Sequence, residues 1–467
     1  MSESQQPSQL DQVLAVLKQN HDKILARLVE FAAIPSVSTD PAHASDMRAA
    51  ADWVAAELTA SGPITVRMIE TAGNPVVYGE WLDAPGKPTI LVYGHYDVQP
   101  PDPLEKWVSP PFTPTVRDGR LYARGVSDDK GPMLIPIKVA RAFLKTAGAL
   151  PINVKFMFEG EEEIGSPHLE SFIAEHKDLL AADFVLSADG AMWRINEPSL
   201  TVASRGLAGL ELTLTAASKD LHSGRHGGGV ANPLHAMARL IASLHDDDGR
   251  VTVAGFYDKV VELTNDERAA IKALPFDEAA YLTQVGAPAP FGEQGYSTLE
   301  RQWARPTLEV NGMWGGYEGP GQKTVIPSEA HAKITCRLVP DQNPEEINEL
   351  VKRHLESHLP PGTTLTVRLS DHGARPSHIR ADHSALKTAD SALTTVYKTR
   401  PLVVRMGGTV PISELFQRLM SLDTVFFSFS TADEDYHSPN EFFRIHRLHE
   451  GLESWARCWH LLGEITA

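Results

Sequence analysis

At 467 residues the chain is too long for one ordinary core, so two or three domains are expected. Apolar residues at 42% and charged residues at 22% describe a soluble globular protein. The formal charge of -17, with no local basic patch in the sequence, disfavours a nucleic-acid backbone or an anionic membrane surface as partner. Cys336 and Cys458 lie far apart with no paired spacing, so neither a disulfide framework nor a cysteine zinc site is indicated, which fits a reducing cytoplasm. The polar start Met1-Ser2-Glu3-Ser4 lacks the basic and then apolar run of a signal peptide, and no uninterrupted apolar stretch reaches membrane-spanning length.

In chain order, Leu10, Val13, Leu17, Ile24, Leu28 and Phe31 keep helical spacing and predict a helix from Leu10 to about Phe31, with Pro35 at its exit. A second amphipathic helix is expected over Asp46 to Leu58, capped by Ser45. Short β-rich runs follow at Thr65 to Glu70, Val76 to Trp81 and Pro88 to Tyr93. The last of these leads into Gly94-His95-Tyr96-Asp97, where alternation places His95 and Asp97 on one face of a strand's carboxyl end.

A helix from Met133 to about Leu144 follows Ser127-Asp128-Asp129-Lys130-Gly131, and an acid there reads either as a cap or as a ligand. The alternating run Ile152 to Phe158 delivers Glu161-Glu162-Glu163-Ile164-Gly165-Ser166, and a buried run from Asp183 ends at Asp189. Three strand ends thus each offer an acid or a histidine. After Arg205-Gly206 the texture changes to an α+β unit. Its expected strands are Leu207 to Ala216, Leu308 to Val310, His331 to Val339 and Thr363 to Leu369; its helices are Pro233 to Leu244 and Pro344 to Leu355. The stretch 246–305 reads as helical and polar, with no chemistry assigned. A helix from Ser384 to Tyr397, a strand from Thr424 to Phe429 and a closing helix from about Leu448 to Ile465 return to the first style, around His437-Ser438-Pro439-Asn440-Glu441.

In combination these motifs resemble the dinuclear metallopeptidase and amidohydrolase family that includes carnosine and cysteinylglycine dipeptidases, glutamate carboxypeptidases, aminoacylases and acetylornithine deacetylase. The length and the large insert look most like its dipeptidase branch. The resemblance implies an α/β catalytic domain, split into residues 1–205 and 384–467, with a mixed sheet between helices. An α+β lid and dimerisation domain would be inserted at 206–383. It implies two divalent metal ions, one held by His95, Asp128 and Asp189 and the other by Asp128, Glu163 and His437, with Asp128 bridging. Imidazole and carboxylate donors suit zinc, with manganese or cobalt as alternatives. Three carboxylates against two divalent ions leave one positive charge for a bridging hydroxide, the implied nucleophile.

By the same resemblance Asp97 orients His95, Glu162 is the general base, and the Asp128-Asp129 peptide is cis. His222, in Asp220-Leu221-His222-Ser223-Gly224, would stabilise the oxyanion, reaching the partner subunit's site in a homodimer. Arg337 would bind the substrate carboxylate, and Gly408 and Thr409 would wrap the substrate with backbone groups. One departure stands out: dipeptidases of this type tend to carry an acid before the two glycines, and here Arg405-Met406 precede Gly407-Gly408. Asp433, Glu434 or Asp435 would then have to pair a free substrate amine. The expected function is a cytoplasmic metal-dependent dipeptidase acting on short peptides, without nucleic acid or membrane. An N-acyl amino acid amidohydrolase is the alternative, and a non-catalytic binding protein on this scaffold is the remaining one.

Overall fold

The computed structural model describes residues 8–370, 373–380, 382–408 and 410–465. The chain forms two compact units. One comprises Met1–Val202, Ile379–Val404 and Leu415–Ala467; the other comprises Ala203–His378 and Arg405–Glu414. The chain therefore crosses between units four times rather than the expected twice, because the Gly407-Gly408 segment groups with the inserted unit.

Long apolar runs in the first unit form a six-stranded sheet. Its order is Thr65–Ile69, Val76–Trp81, Asn153–Glu159, Thr89–His95, Phe184–Ser187 and Thr424–Phe426. The last four strands are mutually parallel, and Val76–Trp81 runs antiparallel to both of its neighbours, so the sheet is mixed. Ile90, Leu91, Val92 and Tyr93 are all fully buried, the mark of a central strand covered on both faces. Among the covering helices, Gly131–Ala147 and Ile445–Glu464 are themselves largely buried. The helix Gly131–Ala147 ends at Gly148, whose left-handed φ of 73° is the conformation a glycine C-cap adopts without steric cost.

The second unit is built on a four-stranded antiparallel sheet in the order Thr307–Gly315, Glu329–Leu338, Gly206–Thr215 and Thr364–Leu369. Burial alternates along Glu329–Leu338, so one face carries the core. Onto it pack Pro233–Ala242 and Pro344–Ser357, each opened by an Asn-Pro pair whose asparagine carboxamide oxygen accepts a backbone N–H of the first turn. The stretch 246–305 holds three short helices, Asn265–Lys272, Glu278–Val285 and Thr298–Trp303. Among the described residues no helix is long and apolar enough to cross a membrane.

Local expectations need four corrections. The first helix is two, Gln9–Gln19 and His21–Ala32, because Asn20 leaves helical geometry and turns its side chain back onto the Val16 carbonyl; the apolar phase carries across the break and hides it. The next helix starts at Ala44, so Ser45 lies inside it and is not its cap. The strand expected to reach Phe429 stops at Phe426, and the stretch 246–305, read as helical, holds only short helices between irregular connections.

Candidate active site

Parallel strands that end together set the site. His95 closes Thr89–His95 in register with Glu159, and Tyr93 is in register with Ser187. The short turn Glu162–Ile164 and Asp189 therefore emerge on either side of His95. Asp128 enters from the segment Val126–Lys130, whose Asp128-Asp129 peptide is cis as the resemblance implies. His437 arrives through pairing of Phe442–Arg444 with Arg120–Tyr122, the strand shortly before Asp128.

Two donor groups result: His95, Asp128 and Asp189, then Asp128, Glu163 and His437, with the donor atoms of each lying within 4.8 Å of one another. Asp128 belongs to both. Its Oδ1 lies 3.0 Å from His95 Nε2 and its Oδ2 lies 3.0 Å from His437 Nε2, which also lies 3.2 Å from Glu163 Oε2. One carboxylate thus presents one oxygen to each group, the arrangement of a bridging ligand. Half of the His437 side chain is exposed while that of Glu163 is 2% exposed, so the cluster opens to solvent on the His437 side. The donor set fits divalent cations: it is imidazole and carboxylate without thiolate, and its acids outnumber the histidines that face them.

Asp97 does more than the sequence suggests. Its carboxylate lies 3.4 Å from His95 Nδ1, accepts Ser38 Oγ–H at 2.7 Å, and accepts the backbone N–H groups of Glu162 and Glu163 at 3.2 and 3.1 Å. One buried aspartate therefore sets both the first histidine and the turn carrying the two glutamates. Neighbouring acids are occupied elsewhere. Glu161 accepts from Asn74 N–H and pairs with His168, and Glu159 accepts from the Tyr93 and Ser166 hydroxyls, which leaves Glu162 as the acid of that run without such a partner among the described residues.

Several supporting residues escaped the sequence reading. Gln99 donates to Glu163 Oε2 at 2.8 Å. Glu441, visible only as the end of a motif, accepts from Arg124 and from the backbone N–H groups of Gly125, Ser127 and Asp128. Glu434 accepts from Ser127 Oγ and pairs with Arg444, which also holds Asp433. Two of the three acids considered for a substrate amine are thus engaged, and exposed Asp435 is the one left.

The remaining expected site residues belong to the second unit. His222 is exposed, on a two-residue strand paired with Val325–Ile326, and its Nδ1 accepts the Gly224 N–H. Arg337 lies on Glu329–Leu338 opposite Leu207 and Thr307. The Gly407 and Gly408 carbonyls accept from Arg205 Nε and N at 2.9 and 3.0 Å, and the Arg405 guanidinium before them is ion-paired to Glu267. Thr409 lies outside the described residues.

Charge and burial oppose each other in the cluster. Burial works against ionised Asp128, yet bonds from His437 and His95 hold its carboxyl well below the usual range. His437 is pushed up to about 10, first by Asp128 and then by Glu163. Burial raises Glu162 well above an ordinary glutamate and pushes Asp189 up to about 6. A divalent cation must displace the His437 proton, so cation binding is expected to release protons and to weaken as pH falls from about 10. Calorimetric titration of zinc in buffers of different ionisation enthalpy measures this, and a proton count of zero at pH 7 is the contrary result.

Two adjoining imidazole and carboxylate donor groups on the carboxyl edge of a helix-covered sheet make the architecture of a metallohydrolase. Residues 91–460 match the model of peptidase family M20/M25/M40, and the chain belongs to that family. It is 31% identical to human Beta-Ala-His dipeptidase, over 97% of this chain and 93% of that protein. It is 30% identical to the Cys-Gly metallodipeptidase dug1 of Schizosaccharomyces pombe, over 98% and 99%. Among solved structures, human carnosine dipeptidase 1 superposes with a TM-score of 0.77 at 30% identity, covering 98% of this chain and 100% of that one.

Proposed function

We propose that the protein is a metal-dependent dipeptidase, with Asp128 shared between two divalent ions. The observation that carries this is the Asp128 carboxylate, with one oxygen at 3.0 Å from each of two histidines in adjoining donor groups. Two relatives near 30% identity and near full length bear dipeptidase names, which supports the substrate class. His95, Asp128, Asp189, Glu163 and His437 would hold the ions, with zinc favoured by the donor set and manganese or cobalt compatible with it. The ions would supply Lewis acidity to the scissile carbonyl and to water.

In this reading the chain's own groups do the rest. Glu162 takes a proton from water on a carboxylate oxygen and returns it to the leaving amine, and its raised pKa suits an acid that must carry that proton. Asp97 keeps the His95 ring and the Glu162-Glu163 turn in place. His222 steadies negative charge on the carbonyl oxygen, Arg337 takes the substrate carboxylate in its guanidinium fork, and the Gly408 and Thr409 backbone borders the substrate. Asp435 is the acid available to a free amine. The protein works as a homodimer in the cytoplasm, with the inserted unit as lid and dimerisation domain. His222→Ala is expected to lower kcat on the order of a hundredfold with metal content unchanged, and light scattering to give twice the chain mass.

Met406, standing immediately before Gly407-Gly408 where an acid is expected, favours one second reading, an N-acyl amino acid amidohydrolase. Amine release from free dipeptides, N-acetylated dipeptides and N-acyl amino acids separates the two. Preference for free dipeptides is the expected result, and preference for acylated substrates transfers the protein to the deacylases.

A further inference from the structure

The sequence shows no basic patch, yet the fold of the first unit assembles one. Lys23 and Arg27 lie one turn apart on His21–Ala32, and Lys138, Arg141 and Lys145 line one side of Gly131–Ala147. Between them is a cavity of about 300 Å³, with Val16, Leu17, Ile24 and Ala142 in its walls. That volume is at the small end of ligand sites.

The charges do not cancel. Buried Glu57 is shared by Lys138, Arg27 and Arg141, and Glu30 takes a second Arg27 nitrogen at the rim. Two carboxylates thus stand against five cations. Lys23 and Lys145 form no ion pair or hydrogen bond among the described residues. Such a concentration of positive charge is unusual on a chain of net charge -17. Like charges brought together around an apolar floor repel one another, and an anion between them relieves that repulsion.

We propose that this cavity is a binding site for a small organic anion: a compact apolar body seated against Leu17, Ile24 and Ala142, with a carboxylate or phosphate facing Lys23, Arg141 and Lys145. It is separate from the candidate metal cluster in the residues that form it. It also shares that cluster's supports. Gly131–Ala147 starts three residues after Asp128, and Lys130 Nζ bonds the Phe31 and Ile34 carbonyls at the end of His21–Ala32. An anion in the cavity therefore cross-braces two helices joined at the segment that carries Asp128, and raises the melting temperature by mass action.

The test is calorimetric titration of the full chain with phenyl phosphate, phenylacetate and neutral benzyl alcohol at fixed ionic strength, repeated on Lys23→Glu/Lys145→Glu. The expected result is one-to-one binding of at least one anion at millimolar or lower concentration, with a raised melting temperature. Benzyl alcohol should bind at least about tenfold more weakly, and the double variant should lose about tenfold or more in anion affinity. The ratio of phosphate to carboxylate affinity tells which anion the site prefers. Because both lysines are exposed and unpaired, the variant should melt like the parent without ligand. No anion binding, equal binding of benzyl alcohol, or unchanged anion affinity in the double variant each overturns the proposal.

Discussion

Replacing Glu162 by glutamine is expected to lower kcat by a hundredfold or more while leaving metal content and melting temperature near those of the parent. The physical reason is a division of labour within one turn. Asp97 receives the N–H groups of both Glu162 and Glu163, so the two adjacent carboxylates are fixed with different aims. Glu163 faces His437 and Gln99, whereas Glu162 belongs to neither donor group. On the role proposed for Glu162, removing its charge takes away a proton carrier, a loss in the range of general acid–base effects, and leaves the donor atoms in place. The decisive measurement pairs steady-state kinetics with metal analysis on the same sample. Parent-like turnover would show that another group moves the proton, and loss of metal together with activity would make Glu162 a ligand.

The second large effect is on stability. Glu441→Ala is expected to destabilise the first unit by about 3–5 kcal/mol, the usual result of breaking a buried ion pair and stranding its partner. The Arg124 and Glu441 side chains are each 1% exposed and meet at 2.7 Å. The same carboxylate accepts the N–H groups of Gly125, Ser127 and Asp128 at 2.8, 2.9 and 3.2 Å, so its loss also frees the segment that aims Asp128. Urea unfolding should show a lower midpoint, and zinc affinity should fall with it. Glu441→Gln retains an acceptor for the N–H groups and should cost less. A midpoint equal to the parent's in the alanine variant would refute this account.

Much of the scaffold was readable because burial in it follows simple periods. Val76–Trp81 falls where a short β-rich run bounded by glycine and proline puts it, and Ser384–Tyr397 is the helix expected there. His95, Glu163 and Asp189 were readable for a related reason: each sits at or just beyond the end of a core strand, a local feature that survives in sequence, whereas His437 was assigned through the family resemblance. What was hidden depends on contacts between distant segments. Nothing near Glu441 announces that it clamps Gly125 to Asp128, and nothing near Asp97 says that it holds a turn 65 residues away. The break at Asn20 was invisible because the apolar stripe continues in phase through it. His222 and Arg337 had no such local signal, and their assignment rested on family resemblance alone.

The two donor groups also differ in when they can exist. His95, Asp128 and Asp189 lie early in the chain, but the other group waits for His437, a further 248 residues along. A chain growing from its amino terminus therefore carries a complete first group long before a second. It also lacks Glu441, which steadies the shared aspartate, until His437 too has been made. A chain that stops before His437 therefore lacks the second candidate donor group, whatever the first can hold.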